Sequence, residues 1–71
     1  MDVDTAQSVS DLMLEISAKL DTSLQLVQRT CPEAEFEAYR NTVGSLMGTM
    51  LLEVMNPLYE EHPELKPPGL E

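Results

Sequence analysis

Apolar residues recur at Val9, Met13, Ile16, Leu20, Leu24 and Val27, at steps of 4, 3, 4, 4 and 3. That spacing lines one face of an α-helix. At about 100° per residue the six form a narrow stripe, with Leu12 on its edge. Asp11, Glu15, Gln25 and Arg29 point elsewhere, while Leu14 and Leu26 lie off the stripe and are free for a further contact. The pattern predicts a first helix over 5–29. Its start falls near Asp4 or Thr5, where Asp4 and Gln7 have the spacing of a capping pair; Ser8 with Asp11 offers a later start.

The period breaks at Arg29-Thr30-Cys31-Pro32-Glu33. Proline disfavours helical geometry in the residue before it and suits the first position of a new helix. Cys31 is therefore the expected N-cap of a second helix, with Thr30 and Glu33 as an alternative capping box. Glu33, Glu35 and Glu37 follow where carboxylates complement the positive end of the helix dipole. So short a connection folds the two helices back as an antiparallel hairpin.

The second helix, over 32–60, carries more apolar surface than the first can cover. Phe36, Tyr39, Val43, Leu46, Met47, Met50, Val54 and Leu58 project onto one broad face. Beside it runs a second row, Gly44, Gly48, Leu51 and Met55, which Leu52 and Tyr59 extend. Each interior glycine costs roughly 1 kcal/mol relative to alanine, and close approach of another backbone is the usual compensation. The expected intrachain core is Val9, Leu12, Met13, Ile16, Leu20, Leu24, Val27, Phe36, Tyr39, Val43, Met47, Met50 and Val54. The second row then gives Gly44, Gly48, Leu51, Leu52 and Met55 as a dimer contact, although the two rows can exchange roles. The predicted fold class is all-α: an antiparallel two-helix hairpin that pairs into a homodimeric four-helix bundle.

Pro57 interrupts the pattern and is expected either to end the second helix near residues 54–56 or to kink it before one more turn. Residues 1–63 form the single predicted domain. From His62 onward the chain is rich in proline and reads as extended, with 64–71 a flexible tail. The closing pair Leu70-Glu71 resembles the residues that expression vectors leave before an affinity tag.

Composition narrows the chemistry. Thirteen acidic and four basic residues give a net charge of −9, which repels nucleic acid and anionic membranes and favours a basic protein partner. The weakly charged stretch 42–55 would span about 21 Å as a helix, short of the roughly 30 Å bilayer core. Cys31 is the only cysteine, so a disulfide within one chain is excluded and a reducing, cytoplasmic setting is expected. His62 is the only histidine, placed where a helix dipole or solvent receives it. Phosphate loops, nucleophile elbows and metal-ligand spacings are missing, so neither a catalytic residue nor a cofactor is expected. The reading is a small acidic, non-catalytic adaptor acting as a homodimer. The alternative is an acidic inhibitor that mimics a polyanion and binds a basic enzyme or nucleic-acid-binding protein.

Overall fold

A computed structural model describes residues 1–68. Helix α1 spans Val3–Thr30 and helix α2 Glu33–Thr49; a π-helical segment, Met50–Met55, then leads into α3, Asn56–Glu61. α2, the π segment and α3 form one continuous rod, which lies beside α1 as the second arm of a hairpin. Among the described residues there is no strand.

α1 begins earlier than the stripe indicates because Asp2, rather than Asp4, is its N-cap. The Asp2 carboxylate accepts the Thr5 amide at 3.3 Å and the Thr5 hydroxyl at 2.6 Å, satisfying a first-turn donor that the helix leaves free. Gln7 is occupied elsewhere, donating to Asp11 at 2.9 Å. At the hairpin bend Cys31 closes α1, its amide donating to the Val27 carbonyl at 2.9 Å. The expected capping roles of Cys31 and Thr30 in the second helix are therefore not realised. The Thr30 hydroxyl instead donates back to Leu26, and Pro32 is the N-cap without a side-chain bond.

Pro57 explains the π segment. It has no amide hydrogen, and its ring would press on the carbonyl four residues back in a regular α-helix. A wide turn relieves both problems by moving to i→i+5 bonding, and the Asn56 amide accordingly donates to the Leu51 carbonyl. The helix is neither ended nor sharply broken. It gains one extra residue per turn, so every side chain after it is shifted in phase.

That shift corrects several expected positions. Val54 is 37% exposed instead of buried, and Met55 takes its place at 5% exposure, inside the chain rather than on a dimer contact. Tyr59 follows Met55 inward. Met55, Leu58, Tyr59 and Ala6 make the main core, with Val9, Met13 and Leu65 packed against it. Val43 is buried as expected. Ile16, Leu20, Leu24, Val27, Phe36, Tyr39, Met47 and Met50 are half-buried. Leu12, expected in the core, is 50% exposed because α1 turns Ala6, Ser10, Met13 and Ser17 toward its partner instead.

The segment after His62 is not extended throughout. Pro63–Leu65 forms a 3-10 turn, with Leu65 half-buried against the core. This places part of the expected tail within the folded unit. The Leu70-Glu71 reading lies outside the described residues.

Candidate interaction surface

Among the described residues two helices lie side by side as a single layer, 44 × 20 × 16 Å in extent. Among the described residues only Ala6, Val43, Met55, Leu58 and Tyr59 are buried apolar residues. Leu12 and Leu14 lie two residues apart on α1, about 200° round the helix, so they leave it toward opposite sides.

On the Leu14 side the helices frame a groove of about 330 Å³ lined by Leu14, Ser17, Met47, Gly48, Leu51 and Met55. Met55 is its floor. Gly44 and Gly48 flank it on α2, and a Cβ added to either would meet nothing within 4 Å. The described residues therefore supply no close contact to offset the two glycines. Leu51 is 37% and Leu52 65% exposed. Four of the five residues expected at a dimer contact (Gly44, Gly48, Leu51, Leu52) thus lie together and uncovered, whereas Met55 is already buried. Leu14 joins them, a member that the stripe on α1 left unassigned. Asp11 and Asp21, three residues before Leu14 and seven after it, put exposed carboxylates beside the groove.

The opposite side carries Leu12, Leu26 and Leu46, each about half exposed. Thr42 and Thr49 accompany Leu46 on α2. Their hydroxyls donate to the Ala38 and Ser45 carbonyls at 3.2 and 3.0 Å, which leaves their methyl groups to the surface. The charges near this side are balanced in part by the Glu15–Lys19 pair at 3.0 Å.

Two tyrosine–serine pairs pin the hairpin. Ser10 and Tyr59 share a buried hydrogen bond, and Ser23 lies 2.8 Å from the Tyr39 hydroxyl. Because Ser23 gives its own proton to the Leu20 carbonyl at 2.6 Å, Tyr39 is the donor in the second pair. Sequence reading missed Ser10 as polar, though Ala6, Ser10, Met13, Ser17, Leu20 and Leu24 keep a strict 4-3 spacing that was available to find it.

His62 caps α3 and is mostly buried, not solvated. Its Nε2 donates to the Met1 carbonyl at 2.9 Å, and its Nδ1 faces Glu64 at 3.5 Å. Glu61 binds the Met1 ammonium at 3.1 Å, and that hydrogen bond and charge hold its carboxyl below the usual range. Cys31 is half-buried, 3.6 Å from the Thr30 hydroxyl. Among the described residues no group of three or more His, Cys, Asp or Glu side chains is placed to hold a metal ion, and no helix is long and apolar enough to cross a membrane. Comparison with protein-family models, curated proteins and solved structures finds no match.

Proposed function

We propose that the chain is a non-catalytic interaction protein of the cytoplasm that works as a homodimer. Two hairpins close through the Gly44, Gly48, Leu51 and Leu52 side into a four-helix bundle. The observation that carries this reading is the pair of glycines standing open beside an apolar groove in a chain whose own core is so small. Interior glycines weaken a helix, and monomers seldom leave a contiguous apolar groove in water. Fully burying an exposed leucine contributes about 1.5–3 kcal/mol, and Leu14, Leu51 and Leu52, at 36%, 37% and 65% exposure, each offer the part of that which the single chain leaves in water.

Charge sets the conditions. Each copy brings a net charge of −9, and Asp11 and Asp21 stand at the rim, so added salt should tighten the dimer by screening their repulsion. The reading as an acidic inhibitor of a basic protein predicts the reverse, binding that salt abolishes. The direct test is Leu51→Glu, followed by solution mass and circular dichroism. Conversion to a single-chain mass with the helical signal retained supports the glycine side as the contact. A mass unchanged from that of the parent dimer contradicts it.

A further inference from the structure

We propose that in the homodimer α1 of each copy lies across α2 of the other, so that Asp21 pairs with the partner's Arg40. This deepens the homodimer reading and rests on it, because it concerns the same side of the hairpin. The argument is one of charge order along the two helices that frame the groove.

On α2, Glu33, Glu37, Arg40, Gly44, Gly48 and Leu51 follow at steps of 4, 3, 4, 4 and 3, so they share one row. Arg40, Glu33 and Glu37 line a second hollow on that row, of about 350 Å³. On α1, Asp21 lies seven residues, two turns, after Leu14. Both Asp21 and Arg40 are exposed. Among the described residues Asp21 makes no ion pair, and Arg40 reaches only Glu37, at 3.5 Å. So long a surface pair contributes little, and the guanidinium keeps donors for a second carboxylate.

Contacts between the arms fix the heights. Ser23 meets Tyr39, and the groove sets Leu14 and Ser17 beside Met47 and Leu51. Asp21 is therefore level with residues 41–44 of α2, within about one turn of Arg40. Arg29, six residues beyond Ser23, is level with Glu33, and Asp11 is level with the leucines at 51 and 52.

A face-to-face pair closes about a two-fold axis in one of two ways. With the axis along the helices, heights are kept and each α1 is set over the partner's α2. Asp21 then meets the partner's Arg40, Arg29 meets the partner's Glu33 and Glu37, and Asp11 falls over leucines. With the axis across the helices, heights are reversed and α1 is set over α1. Asp11 and Asp21 each lie five residues from Ile16, near the middle of the groove, so each opposes the other's counterpart. Arg40 is carried over the partner's α3. Like charges face one another in this second packing and opposite charges in the first, which selects the first. The pairs set the packing, while apolar burial supplies the affinity and the −9 of each copy opposes it.

The test measures dimer dissociation by sedimentation equilibrium for the full chain, Asp21→Arg, Arg40→Glu and the two combined, with circular dichroism on each. Asp21→Arg should dissociate roughly tenfold more readily, although it removes two negative charges' worth of repulsion from each copy. The combined variant, with the parent's net charge, should return to within about threefold of the parent. Asp21→Asn repeats the sign test with a side chain of nearly the same size, and weaker association is again expected. Tighter or unchanged association of Asp21→Arg and Asp21→Asn, or effects that simply add in the combined variant, overturns the proposal. A parent dimer that behaves so loses this packing alone. A parent of single-chain mass refutes the homodimer and the packing together.

Discussion

The Ser10 hydroxyl and the Tyr59 phenol meet at 2.5 Å in the core, 49 residues apart in sequence. This bond ties the N-terminal half of α1 to the end of α3 at the position that the π segment creates. Without the extra residue in that turn, Tyr59 would sit about 100° away on the helix and Ser10 would face apolar neighbours alone. Tyr59→Phe should therefore leave a buried hydroxyl unpaired and cost about 1–3 kcal/mol. For a domain of this size each kcal/mol lowers the melting temperature by about 4–8 °C. Ser10→Ala combined with Tyr59→Phe should cost less than the sum of the single changes, and a double-mutant cycle by thermal denaturation measures the difference. Tyr39→Phe, at the half-buried pair, should cost less than Tyr59→Phe.

Pro57 is the cause assigned to the phase shift, so Pro57→Ala should allow an ordinary α-helix through residues 50–57. Val54 would then turn inward, and Met55 and Tyr59 outward. In that background the coupling between Ser10 and Tyr59 should disappear from the same cycle. Coupling of unchanged size would show that tertiary packing, and not the proline, holds the wide turn.

Gly44→Ala and Gly48→Ala have signs that depend on assembly. Within one chain there is room for the added methyl at both positions, and alanine favours the helix by roughly 1 kcal/mol. Each substitution should stabilise a free hairpin. In the proposed dimer the methyl would meet the opposing backbone, so both variants should melt below the parent protein. A rise in melting temperature for both would show that this side faces water.

The Asp2 cap makes the start of α1 sensitive to pH. Its carboxyl is held below the ordinary value of 3.8 by the hydrogen bonds from Thr5, the side-chain bond first. A lowered folded pKa favours folding, fully above the unfolded value, and the contribution is lost as pH falls through the folded one. Asp2→Ala should speed exchange of the Thr5 amide at neutral pH and make little difference in strong acid. Equal exchange in the two proteins at neutral pH would remove the cap from the account.

The hairpin itself was legible in the chain. Pro32 fixes the bend, and the steps of 3 and 4 on both sides fix the helical period. What was not legible is the phase beyond residue 50. A helical projection assumes 100° at every residue, and one wide turn before Pro57 exchanges Val54 for Met55 in the core. The projection also undervalued Ser10 and Ala6, because small and polar residues add nothing to an apolar stripe. Yet small residues are what allow α1 to approach the other arm, and a tyrosine buried there needs a hydroxyl partner. Of the expected dimer contact, the part before the wide turn stays on one uncovered side, and Met55, after it, does not.

Sedimentation equilibrium of the unmodified chain at micromolar concentration tests the central claim most directly. The account predicts roughly 16 kDa, twice the 7.9 kDa of one chain, as a closed two-fold pair requires. A single species of 7.9 kDa would contradict it, leaving the glycine side without the partner on which the account depends.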